Sequence, residues 1–145
     1  MKQIKKSIEI KSTPKNIWEV LFIDKNYRQW ASEFSKDSYA VTDWQKGSKV
    51  IFTDPSQSGL IGTITGNKPY QFLGIEYDGQ LLDGKEDYDS DIAKNIKGGI
   101  ETYTLTERGD TTELSIVCDM DDTYFETMSQ AWDKALKKIK DIAEK

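Results

Sequence analysis

The sequence predicts an α+β fold in which an antiparallel sheet packs against one long amphipathic C-terminal helix. Two observations carry this: six successive strand-like segments separated by short turn clusters, and an apolar stripe of helical period from about Tyr124 to Ala143. A third bounds the organisation. The 145 residues contain no linker, repeat or low-complexity tract, so residues 1–145 read as one domain. A globule of that length buries roughly 70% of its extended-chain surface, and four Trp, seven Tyr and five Phe supply the apolar material for one core.

The elements follow in order. Ile4, Ile8 and Ile10 share one parity against Lys5, Ser7, Glu9 and Lys11, the pattern of a half-buried strand. Ser12-Thr13-Pro14 then offers an N-cap hydroxyl and a proline at the first helical position, where its missing N–H costs nothing. A short helix carrying Ile17, Trp18 and Leu21 is expected there, and a second from about Lys25 brings Trp30 and Phe34 onto the same core. Strands are expected over Tyr39–Trp44, Lys49–Thr53, Leu60–Thr65, Phe72–Tyr77, Gly99–Thr106 and Thr112–Met120. The turns between them contain Lys46-Gly47, Asp54-Pro55-Ser56-Gln57-Ser58-Gly59, Gly66-Asn67-Lys68-Pro69 and Arg108-Gly109-Asp110, and such short connections imply antiparallel neighbours. Only 78–98 reads as a long connection, acidic at first and then able to form one or two helical turns near Ile92–Lys97. For the last helix, Thr123-x-x-Glu126 is expected to make a capping box, with Asp121 and Asp122 near the positive helix end. Phe125, Met128, Trp132, Ala135, Leu136, Ile139, Ile142 and Ala143 form its stripe, whose burial contributes on the order of 10 kcal/mol before conformational entropy.

Composition removes several function classes. The chain has no histidine, which eliminates Ser-His-Asp and Cys-His nucleophilic systems and the usual zinc sites. The single cysteine, Cys118, cannot form an internal disulfide, which suits a reducing compartment; with no signal-like leader, a cytoplasmic location is expected. Cys118 alternates in phase with Leu114, Ile116 and Met120, so it reads as a small core residue. No window approaches the roughly 18 apolar residues of a membrane span. Net charge is −5, and residues 76–91 hold seven carboxylates against one lysine. With no fold-wide basic face, nucleic-acid binding is not expected. Asp87-x-Asp89-x-Asp91 begins like a calcium loop, but Ile92 stands where glycine is needed and Gly98 where a glutamate should close the site, so it reads as a solvated loop. No metal or cofactor is expected.

The order of elements, one strand, two short helices, six strands and a long helix, is that of the helix-grip fold, in which a curved sheet of about seven strands wraps the last helix. Thr13-Pro14-x-x-Ile17-Trp18, Trp30, Asp43-Trp44-x-x-Gly47-Ser48, Thr53-Asp54-Pro55 with Ser58-Gly59, and Ala131-Trp132-x-x-Ala135-Leu136 resemble the SRPBCC (START-like, pollen-allergen-like) superfamily. Lys85-Glu86-Asp87-Tyr88 and Gly99-x-Glu101-x-Tyr103-x-Leu105 are similar to segments of a bacterial branch related to the C-terminal domain of the activator of the ninety-kilodalton heat-shock chaperone ATPase. The resemblance covers nearly the whole chain, and its motifs are structural more than catalytic. It implies a cavity between sheet and final helix, since the superfamily includes lipid carriers, hormone receptors and polyketide cyclases.

The expected function is therefore a small-molecule-binding domain that holds an apolar or aromatic ligand in that cavity. Trp30, Tyr77, Tyr103, Met120, Phe125, Met128 and Trp132 are its candidate lining. The aromatics and methionines supply apolar wall, while Tyr77 and Tyr103, in phase with Leu73/Ile75 and Leu105, supply inward hydroxyls. Two alternatives stand beside it. One is a protein-interaction module using the acidic segment or the lysine-rich helix face; the other, less favoured, is a cyclase-like enzyme for which the sequence offers no paired acid and base. Oligomeric state is left open.

Overall fold

The computed structural model describes residues 1–145. The N-terminal alternation forms β1 (Lys2–Ile10), which pairs antiparallel with β8 (Thr111–Met120), so the two ends of the sheet-forming chain lie side by side. Thr13 caps α1 (Pro14–Phe22) by accepting the Asn16 N–H at 3.1 Å, with proline at the first position as expected. The chain turns at Ile23 into α2 (Asp24–Ala31), whose inner face buries Tyr27, Trp30 and Ala31.

The remaining strands are β2 (Tyr39–Val41), β3 (Lys49–Thr53), β4 (Gly59–Lys68), β5 (Phe72–Leu82), β6 (Lys85–Asp87) and β7 (Ile100–Arg108). Together with β1 and β8 they form one antiparallel sheet in the order β1-β8-β7-β5-β4-β3-β2, with β6 paired to β5. Register shifts interrupt β4–β5 pairing at Ile61/Gly62 and Ile64/Gly66. Bulges of this kind bend a sheet and increase its twist.

Three strand boundaries depart from the sequence reading. One is the end of β4, which runs to Lys68 through residues 66–68, expected in a turn, so that the turn falls at Pro69-Tyr70. The strand expected over Tyr39–Trp44 stops at Val41, because the Thr42 hydroxyl accepts the Trp44 N–H and the Asp43 carboxylate accepts the Gln45 N–H. These local side-chain bonds replace ladder bonds. The long connection expected over 78–98 is instead mostly ordered: β5 continues to Leu82, and Asp83-Gly84 makes a two-residue turn into β6. Both turn residues have positive φ, 50° and 80°, the geometry that suits Asp-Gly in a tight hairpin. The helical turns anticipated beyond form α3 (Asp91–Ile96), capped by the Ser90 hydroxyl.

The last helix, α4 (Phe125–Ala143), begins without the capping box. Thr123 lies before the helix, where its N–H donates to the Asp121 carboxylate at 2.8 Å, and Tyr124 donates to the Asp121 carbonyl at 3.0 Å. Asp121 thus organises the entry turn that Thr123 and Glu126 were expected to make. Along the stripe, Trp132, Ala135, Leu136, Ile139 and Ala143 are buried, whereas Phe125, Met128 and Ile142 are only partly so. The main core joins these residues to the inward faces of the sheet, α1 and α2, including Ile4, Ile17, Leu21, Ile75 and Ile116.

Candidate functional site

Alternation along β5, β7 and β8 points Tyr77, Glu101, Tyr103 and Cys118 to the same concave side. Glu101 is opposite Ile75 on β5 and Cys118 on β8, which centres its carboxylate between two neighbouring strands. Tyr77 is held where β5 meets the start of β7: its N–H donates to the Gly99 carbonyl at 2.8 Å, and its carbonyl accepts the Gly98 N–H at 3.0 Å. A Cβ at Gly99 would lie 3.0 Å from the Tyr77 ring, so the missing side chain admits that ring.

The four side chains form a polar cluster in the core. Tyr77 donates its hydroxyl to Glu101 Oε1 at 2.6 Å, and Tyr103 donates to Oε2. Cys118 Sγ is 3.5 Å from the Tyr77 hydroxyl and 3.9 Å from Glu101 Oε1. Glu101 is 8% exposed and is in no ion pair. Burial pushes its pKa up, and the donated bonds from Tyr103, Tyr77 and Cys118 only partly offset that. Burial also raises the Tyr103 and Tyr77 hydroxyls and the Cys118 thiol, with the Glu101 charge adding to each. Cys118 is therefore a protonated, unreactive thiol at neutral pH.

Around this cluster lies a cavity of about 210 Å³. An empty apolar cavity of about 150 Å³ suffices for benzene, so the space suits a ligand of one or two small rings. Its walls come from α2 and the turn after it (Tyr27, Trp30, Phe34), from β3 and β4 (Phe52, Leu60), from the end of β8 (Met120) and from α4 (Met128, Trp132). Phe34 meets Trp132 edge-on at 4.8 Å between ring centres, and Trp30, Tyr103 and Trp132 stand 6.1 to 6.4 Å apart. The indole N–H of Trp30 is engaged by the Val20 carbonyl at 3.1 Å, so that ring offers only its apolar surface. Partly exposed Ser35, Asp54 and Ser58 line the other side of the cavity, where the Ser35 hydroxyl donates to the Asp54 carboxylate. Hydrogen bonds from Ser35 and Ser56 lower the Asp54 pKa.

Of the seven residues singled out from the sequence, Trp30, Tyr77, Tyr103, Met120, Met128 and Trp132 border this cavity. Phe125 lies outside its lining and packs beneath Lys2, whose ammonium is 5.3 Å from the ring centre. Glu101 was missed as a site residue, although it shares the parity of Tyr103 and Leu105. Tyr27, Phe34, Phe52 and Asp54 were also outside the expected lining. The acidic segment is separate from the cavity: the Asp87 carboxylate accepts from Gln80, Ser90 and backbone N–H groups at the hairpin end and the start of α3. No three acidic or cysteine side chains gather in a metal-binding arrangement.

No protein-family model and no curated protein sequence matches the chain. Solved structures do. The Aha1 dimer from Colwellia psychrerythraea is 17% identical over 99% of this chain and 97% of that one, with a TM-score of 0.71. A protein from Mesorhizobium loti is 12% identical over 97% and 96% of the two chains, with a TM-score of 0.74. DynU16, from the dynemicin biosynthetic locus, is 11% identical; the match spans 94% of this chain and 45% of that one, with a TM-score of 0.69. At these identities the likeness shows a shared fold: a curled antiparallel sheet gripping a long C-terminal helix, with short helices after the first strand.

Proposed function

We infer that this chain is a single-domain member of the SRPBCC superfamily, of the branch resembling chaperone-ATPase activators. Its function on this reading is to hold a small apolar or aromatic molecule, without catalysis, between the sheet and α4. The observation that carries the reading is the cavity itself: aromatic and aliphatic walls with a few polar groups on two sides, the usual make-up of a small-molecule site. The biosynthetic setting of DynU16, a protein of this fold, is compatible with small-molecule work. Trp30, Tyr77, Tyr103, Met120, Met128 and Trp132 form the lining, and Phe125 supports the start of α4 from outside it. Thermal-shift screening against aromatic polyketides, isoprenoids and lipids tests this. Stabilisation by one class, reduced in Trp132→Phe, supports it; absence of any stabilisation and of any indole perturbation overturns it.

A second reading has its own observation. The β5–β6 hairpin and α3 expose Leu82, Tyr88 and Ile92 among carboxylates, a combination suited to a protein partner carrying basic residues. A partner retained by Trp132→Ala and lost on charge reversal at Glu86, Asp89 and Asp91 would favour this surface.

A further inference from the structure

The cavity wall contains two ionisable carboxylates and no lysine or arginine. Glu101 stands at the inner end and Asp54 at the opposite side, and neither is in an ion pair. Glu101 Oε1 accepts from Tyr77 and from the Cys118 thiol, whereas Oε2 accepts only from Tyr103 and keeps acceptor capacity. The rings of Trp30, Tyr103 and Trp132 surround the same space, and aromatic faces attract cations. A carboxylate-bearing ligand would meet like charge here, whereas a cation would supply the counter-ion with which a buried Glu101 can ionise.

We propose that the cavity takes a small aromatic or alicyclic primary amine as its ammonium ion, with the charged group at Glu101 and the ring between Trp30, Phe34 and Trp132. This rests on the cavity-binding reading above and narrows its ligand class. An ammonium has three donors and reaches the remaining acceptor position on Glu101 Oε2 while its apolar body fills the remainder. The ionisable groups facing Glu101 are Tyr77 from β5, Tyr103 from β7, Cys118 from β8 and Tyr27 from α2; α4 presents only Trp132 and Met128 to the cavity. None of them carries a positive charge to compete with the ligand. Because burial favours the protonated carboxyl, an arriving ammonium releases a proton from Glu101, and affinity rises with pH until the carboxyl is fully ionised.

The test uses 2-phenylethylamine, 2-phenylethanol and phenylacetate as probes, titrated calorimetrically and by the indole N–H signals of the intact chain. The amine is expected to bind at least about tenfold tighter than the alcohol, and phenylacetate weakest. Glu101→Gln should abolish the preference for the amine while leaving alcohol binding in place. Equal or tighter binding of the alcohol, or an amine preference that survives Glu101→Gln, overturns the ammonium assignment and leaves the apolar-cavity reading standing. Failure of all three probes to perturb Trp30 and Trp132 overturns the ammonium assignment, and overturns the cavity reading too if the thermal-shift screen also shows no stabilisation. Should Glu101→Gln fail to fold, the wild-type chain decides: amine affinity must rise between about pH 4.5 and 8 while alcohol affinity stays level, and a flat amine profile refutes the proposal.

Discussion

Ile139→Ala and Met128→Ala remove apolar volume from the same stripe of α4, and their costs should differ several-fold. Ile139 is fully buried in the main core and does not border the cavity. Truncating it leaves a void in close-packed surroundings, for which large-to-small substitutions cost about 2–5 kcal/mol. With a central value of about 3 kcal/mol, and a melting shift of roughly 2–4 °C per kcal/mol for a domain near this size, Tm should fall by about 6–12 °C. Met128 is partly exposed and already faces open space on its cavity side. Its truncation forfeits only about 1 kcal/mol of burial, at roughly 0.8 kcal/mol per buried methylene, and Tm should fall by about 2–4 °C. Circular dichroism melts at fixed pH, supported by urea titrations with unchanged slope, provide the comparison. Two variants melting within about 2 °C of one another would refute the division of α4 into a cavity wall and an ordinary core segment.

Stability should also report on Glu101 through pH. Its folded pKa is raised, so the native state holds the proton more tightly than the unfolded chain; this stabilisation is complete below the ordinary carboxyl range and lost as pH rises through the folded pKa. Glu101→Gln has no such loss, so it should gain on the wild type with rising pH, and a stability difference constant from about pH 4 to 8 would contradict the buried, unpaired carboxyl. Tyr77→Phe removes the hydroxyl that donates to Oε1 and should cost about 1.5–3 kcal/mol at pH values above the raised pKa of Glu101, measured in urea, with a smaller cost in a Glu101→Gln background. Thr13→Ala should cost about 1 kcal/mol through loss of the α1 cap, whereas Thr123→Ala should stay within about 0.5 kcal/mol because its side chain caps nothing. Equal losses from the two threonines would restore the capping box at α4.

The inward placement of Tyr77, Tyr103 and Cys118 was legible because a pleated strand has a period of two and each lies in phase with apolar neighbours. The same parity applied to Glu101, yet carboxylates are almost never fully buried, so pattern alone argues against reading one as core. Its partners also come from strands far apart in sequence: Tyr77 on β5 and Cys118 on β8 meet it only through the sheet order. Tyr27, Phe34 and Phe52 could not be assigned to the cavity for a related reason, since their approach depends on how α2 and the following turn lie across β3 and α4. The Asp83-Gly84 hairpin was legible in principle as a two-residue turn signal. The acidic run around it favoured a loop reading, because charge density describes exposure and says little about backbone pairing. At α4 the stripe located the helix correctly, but Thr123-x-x-Glu126 competes with Asp121, and the carboxylate at the entry turn prevails.

Packing requirements explain most of the concave face but not the residue at position 101. A leucine or glutamine there would avoid burying a carboxyl without a counter-charge, and replacing buried ionic groups by well-packed apolar ones is often stabilising. With leucine both tyrosines would lose their acceptor, and with glutamine only one acceptor oxygen would remain for the two, so the three residues form a unit whose polar members require one another. Such a unit, placed at the end of a cavity instead of in filled core, carries a desolvation cost that the fold itself does not need, and perturbed groups of this kind concentrate at functional sites. The gap beside it arises where the α4 stripe thins: Met128 covers the sheet incompletely, while Trp132 and the helix beyond it close the core. The helix that completes the hydrophobic core thus also leaves its N-terminal half to bound the cavity, with Glu101 as the one buried carboxyl on its wall.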